Sequence, residues 1–139
     1  MVASLHDALV SLFPSVDPAI SWVLRNDGDG DYIAQWNLDS KAPGTEVLAA
    51  AAVAASGLAA IAAERAWRDA ELGETEWQVA RHRDELDAGT TTTLSADQFA
   101  ELLAYRQALR HWPAAKAFPD GTSRPVAPTW LAATRPPRA

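Results

Sequence analysis

Three aspartates alternate with two glycines in Asp27-Gly28-Asp29-Gly30-Asp31, and this is where the residue types come nearest to metal chemistry. A helix–loop–helix calcium site needs oxygen ligands at fixed loop positions, with glycine at the sixth and a bidentate glutamate at the twelfth. Counted from Asp27, those positions hold Tyr32 and Leu38, so the segment reads as a solvated turn. His6, His82 and His111 lack HExxH spacing, and the chain has no cysteine, which removes thiolate zinc sites and disulfides together. Neither a GxxxxGK(S/T) phosphate cradle nor a GxSxG nucleophile elbow occurs. Adjacent acids such as Asp84 and Glu85 leave a helix in different directions and read as a charged face, not an acid–base pair. The expectation is a non-enzyme with no catalytic residue, no cofactor, no metal and no small-molecule substrate.

The charge is unevenly distributed. The 139 residues carry a net charge of −6, yet the last 27 hold Lys116, Arg124, Arg135 and Arg138 against a single acid, Asp120. An acidic body repels phosphate backbones, so nucleic acid is not an expected partner. No basic, apolar leader precedes the first helix pattern, and the absence of cysteine suits a reducing compartment. The alanine-rich run Val47–Ala63 is read as too short and too weakly hydrophobic to span a bilayer, so no membrane is expected.

The elements that would position any functional side chain form an α+β, mainly helical chain. Leu5, Leu9, Leu12 and Phe13 make one helical stripe, closed by Pro14. Two β-prone runs flank the Asn26–Asp31 turn and predict a hairpin whose apolar face must be covered by a helix or a partner. Thr45 starts a long alanine-rich helix expected to stop at Gly73, and Thr75-Glu76-Trp77-Gln78 has the spacing of a capping box that would open another. That second helix ends near Ala88-Gly89. Ser95-Ala96-Asp97-Gln98 repeats the capping box, with Leu94 and Phe99 at the staple positions, and the third helix runs to Pro113. The last two helices predict an antiparallel hairpin. Six prolines from Pro113 onward predict an extended arm without self-contacts. Boundaries are expected at 44/45 and 112/113, giving an N-terminal helix with hairpin (1–44), a helical region (45–112) and the arm (113–139).

Within the hairpin, Tyr105 and Leu109 share a face while Arg106 and Arg110 occupy the adjacent one. Both arginines are expected to tie the hairpin through Asp84, Glu85 and Asp87 by charge-assisted bonds. Among the six tryptophans, core packing is the default for at least half. Trp77, Trp112, Phe118, Arg124 and Trp130 are the expected partner contacts, with Phe118 and Trp130 anchoring the arm on the acidic body or on another polypeptide.

Trp67-Arg68-Asp69, Thr75-Glu76-Trp77, Arg81 with Asp84, Tyr105-Arg106-Gln107-Ala108-Leu109-Arg110, Phe118-Pro119 and the prolines from Pro125 to Pro128 together resemble the phage tail assembly chaperone proteins. The resemblance covers residues 63–130 and departs at Glu76, where the family has aspartate, and at His111, where an acid often follows. It implies a protein that binds a tail-fibre polypeptide, of trimeric type, in the host cytoplasm. It would aid that polypeptide's folding, trimerisation or attachment without nucleotide hydrolysis. The alternative it leaves is a permanent structural adaptor retained in the tail fibre or baseplate.

Overall fold

The computed structural model describes residues 3–134. The chain divides into two compact units, Met1–Ala60 and Ile61–Ala139. The division falls inside a helix.

The first unit begins with α1 (Leu5–Leu12), whose reciprocal cap is made by Ser4 and Asp7. Asp7 N–H donates to Ser4 Oγ at 3.2 Å, and Ser4 N–H donates to the Asp7 carboxylate at 3.0 Å. After the short α2 (Pro18–Ser21), β1 (Trp22–Asn26) pairs antiparallel with β2 (Asp31–Trp36), with a bulge between Val23 and Leu24. The predicted cover for this hairpin comes from the end of α1. Phe13 packs edge-on against Trp36 at 5.3 Å, while Trp22 and Trp36 stack at 5.8 Å. Such aromatic geometry contributes beyond area burial alone.

Thr45–Asp87 is one uninterrupted helix of 43 residues, α3, not two. Gly73 does not stop it. Among the described residues only Gly28, Gly30 and Gly89 have positive φ, so Gly73 stays helical. Thr75 is no N-cap; its hydroxyl is buried and turns back onto the Glu71 and Leu72 carbonyls at 2.9 and 3.2 Å. The actual stop is Gly89, at φ 66°, with Thr90 N–H donating to Glu85 O and Gly89 N–H to Leu86 O, both at 3.0 Å. Those two bonds form the Schellman closure that glycine permits without a Cβ clash.

The length of α3 also corrects the membrane expectation. One 18-residue window reaches a mean hydropathy of 1.9 with at most two charged residues, and 6% of it is buried. By length and composition this suffices to cross a bilayer, although one such helix does not itself assign a membrane location.

In the second unit, α4 (Ala96–His111) starts at the capping box read from the sequence. Gln98 N–H donates to Ser95 Oγ at 3.1 Å and Ser95 N–H to Gln98 Oε1 at 3.0 Å. Leu94 and Phe99, the staple pair, both join the core formed by Val79, Leu102, Tyr105, Leu109 and Leu131.

Candidate functional site

The C-terminal part of the second unit is not the contact-free arm that the prolines suggested. Two 3₁₀ turns, Trp112–Ala114 and Gly121–Ser123, bend the chain back toward α3 and α4. Leu131, which opens the short α5 (Leu131–Thr134), is 1% exposed and belongs to the core. Residues 135–139, with Arg135 and Arg138, lie outside the described residues.

A row of polar side chains on α3 forms the other half of this surface. Glu64, Glu71, Thr75, Gln78 and His82 follow one another at intervals of three, four or seven, hence on one helical face, and all five are buried. Trp67 continues the same stripe and packs on the core. Burial of so many polar groups requires partners, since each unsatisfied one costs on the order of 1–3 kcal/mol.

Glu64 receives Arg124 from the folded-back arm. Arg124 Nε and Nη2 donate to the two carboxylate oxygens at 2.9 and 2.6 Å, and Trp112 Nε1 donates at 3.3 Å. The Arg124 guanidinium also lies 4.4 Å from the Trp67 ring centre, a cation–π contact. Hydrogen bonding from Arg124 holds the Glu64 carboxyl below its usual value, against the effect of burial. Gly121 makes room for this cluster: a Cβ there would lie 3.1 Å from Glu64 Oε1.

Further along the stripe, Tyr105 Oη donates to Glu71 Oε2 at 2.8 Å. Arg106 Nη1 donates to the Leu72 carbonyl at 2.7 Å and to Thr75 Oγ1 at 2.6 Å, while Nη2 bonds Glu76. The expected tie to Asp84, Glu85 and Asp87 is therefore not made. In an antiparallel pair joined by residues 88–95, Arg106 lies opposite the 75–76 level. Asp84 is eight residues away, about 12 Å at 1.5 Å per residue. Asp84 and Arg110 are exposed, and Arg110 forms no ion pair among the described residues. Glu85 instead closes the helical turn. Thr93 donates to it from both hydroxyl and backbone, at 2.6 and 2.7 Å, and these bonds with Arg81 lower its pKa to about 2. Leu109 is fully buried in the core.

Of the five expected partner contacts, four make interactions within the chain. Trp112 is buried and meets Phe118 edge-on at 5.5 Å; Arg124 holds Glu64; Trp130 packs on the core with Nε1 donating to Glu101 at 2.7 Å. Trp77 differs, being 41% exposed on the rim of a cleft shared with Gln78, His82 and Leu94. The buried polar stripe itself was missed in the sequence. Its three-and-four spacing is present in the sequence, but polar residues at that spacing ordinarily mark the solvated face of a helix.

The calcium-like segment behaves as a turn. Asn26 Oδ1 accepts from Gly28 N–H at 2.8 Å and Asp27 Oδ1 from Asp29 N–H at 3.1 Å. Among the described residues no group of three or more acidic or histidine side chains is arranged to hold a metal ion.

Comparison with known families divides the chain where the compact units divide. Residues 5–60 match the XkdW protein family and residues 61–129 match the phage tail assembly chaperone protein family. No curated protein and no solved structure gives a match. The matched stretch 61–129 carries the polar stripe, the helical pair and most of the folded-back arm, and through it the chain belongs to the phage tail assembly chaperone family.

Proposed function

We propose that this protein binds a tail-fibre polypeptide during phage assembly and aids its folding, trimerisation or attachment without catalysis. The observation that carries the reading is the family match across residues 61–129, the stretch that includes the exposed Trp77. A tail assembly role follows from the family; the fibre as client and the trimer as product are the finer part of the proposal. Physically, a chaperone of this kind needs a rigid platform with an accessible aromatic anchor. The helical pair, fixed by Arg106 and by the arm, supplies the platform, and Trp77 supplies the anchor.

Trp112, Phe118, Arg124 and Trp130 act in this reading by holding the platform, not by touching the client. The test is co-expression of the full chain with a tail-fibre polypeptide, without added nucleotide, scoring soluble fibre trimer. Wild type should raise the soluble trimer severalfold, and Trp77→Ala should lose most of that gain while keeping the wild-type melting temperature. An unchanged yield with and without the chaperone, or a strict ATP requirement in a purified two-component system, would overturn the proposal.

A further inference from the structure

The two-stranded sheet of the first unit leaves both of its outer edges unpaired. No third strand joins β1 and β2. Among the described residues, no hydrogen bond from outside the hairpin reaches the backbone of Trp22–Asn26 or Asp31–Trp36. In an antiparallel pair only alternate backbone groups face the partner strand, so each outer edge keeps a row of free donors and acceptors. Two strands alone are marginal in water, and a third strengthens them.

The two edges are not equivalent. The register pairs Val23 with Gln35 and Leu24 with Ile33, so Ala34 is an extra residue in β2. A bulge breaks the regular row on the strand that carries it and is a common device for blunting an edge. The five residues of β1 run without such an interruption and contain no proline. Val23 within β1 is 38% exposed, and Ile20 just ahead of it is 70% exposed, so apolar surface accompanies the free row. An incoming strand therefore has both backbone partners and side-chain contacts on β1.

Charge selects the occupant. Residues 1–60 hold seven acids against Arg25 and Lys41, five net negative charges. Three of the acids, Asp27, Asp29 and Asp31, are exposed and sit at the turn end of the hairpin. A second copy of this chain would bring the same negative charge to the edge, which repels it. A strand added beside β1 lies about 4.8 Å away, so a cation carried past Asn26 comes within the Debye length of about 10 Å from these carboxylates. The complementary partner is an extended segment with alternating apolar residues and a lysine or arginine near the turn.

We propose that the outer edge of β1 takes up such a basic, extended segment of the client polypeptide as a third strand. Main-chain bonds hold the segment, and the turn carboxylates set its preference for positive charge. The assignment rests on the binding role proposed above and adds a second contact, on a different unit from Trp77.

The test uses full-length, ¹⁵N-labelled protein and the probe peptide acetyl-Lys-Val-Thr-Val-Thr-Val-Lys-amide. Saturable shifts at millimolar peptide are expected at β1, with amide exchange in β1 slowed at least tenfold at saturation. The same peptide N-methylated at its five central residues should not bind, and the version with glutamate in place of both lysines should bind at least fivefold more weakly. Combining Asp27→Asn, Asp29→Asn and Asp31→Asn keeps the side-chain oxygens that accept within the turn and should bring the two charged peptides within twofold of each other. No protection of β1, protection on β2 instead, equal binding of the N-methylated peptide, or an unchanged charge preference in the triple variant would overturn the proposal. So would a concentration-dependent dimer whose β1 amides are protected without peptide, since a second copy would then hold the edge. If the edge fails while co-expression still yields soluble trimer that depends on Trp77, the assembly role stands; if co-expression yields no gain, that role fails whatever the peptide does.

Discussion

Removing Arg106 should be among the most damaging single changes outside the apolar core, and the structure says which of its contacts matters. Arg106 is 4% exposed and bonds Leu72 O, Thr75 Oγ1 and Glu76. The Glu76 side chain is 65% exposed, so that ion pair contributes only about 0–1 kcal/mol. The contacts to Leu72 and Thr75 are buried and charge-assisted, and hydrogen bonds of that kind contribute about 1.5–3 kcal/mol. Alanine also removes two buried methylenes, at about 0.8 kcal/mol each. Regained hydration of the free guanidinium in the unfolded chain is already included in these net figures. Thr75 still donates to Glu71 O after the change, so its hydroxyl keeps a partner. At the low end of these ranges, two such bonds and two methylenes make Arg106→Ala cost about 5 kcal/mol, or roughly 20 °C at about 4 °C per kcal/mol for a chain of this size. Lysine keeps the charge and stem but cannot span three acceptors, so Arg106→Lys should lose about 5 °C on the same scale. Glu76→Gln should lose no more than about 3 °C. Thermal unfolding followed by far-ultraviolet circular dichroism measures all three. A Glu76→Gln loss equal to that of Arg106→Ala would mean the exposed ion pair dominates, and the reasoning from burial would be wrong.

Leu131→Ala should destabilise by about 2–5 kcal/mol, because this fully buried residue leaves a cavity in the second core; an unchanged denaturant midpoint would show that the arm is not part of the folded unit. Acid should unfold the protein through Glu64 and Glu85, both of which have folded pKa values below the usual 4.5. Their contribution is complete above about 4.5 and is lost as pH falls, with Glu85 titrating at about 2. The melting temperature should fall through that window in wild type and fall less in Glu85→Gln, whereas parallel curves would remove Glu85 from the account.

The parts of this fold that were legible in the sequence are those set by residues within one turn of each other. Ser95 with Gln98 caps α4 as read, and Gly89 stops α3 as read, because each needs only its immediate neighbours. Thr75 shows the opposite case. Threonine serves equally as an N-cap and as a buried mid-helix residue that bonds back to a carbonyl, and its role here is selected by Arg106, 31 residues away. Arg106 bonds Leu72 O and Thr75 and not the acids at 84–87, because the register between the helices, which charge alone does not fix, selects its acceptors. Proline spacing similarly suggested an extended arm. It could not reveal that Arg124 would find Glu64 across 60 residues, or that Leu131 would complete a core begun at Val79. The buried polar stripe was the least legible part, since such residues look like solvated helix until their partners are known.

The position of Leu131 has a consequence for synthesis. The ribosome releases α3 and α4 well before it releases the residue that closes their shared core, since Leu131 follows α4 by nearly twenty positions. Until that residue emerges, Leu109, Tyr105 and Val79 lack one wall of their packing, and Glu64 lacks Arg124. The second unit therefore matures late, and a nascent chain paused after α4 displays apolar surface of its own. The core of the second unit is therefore closed only once translation has passed residue 131.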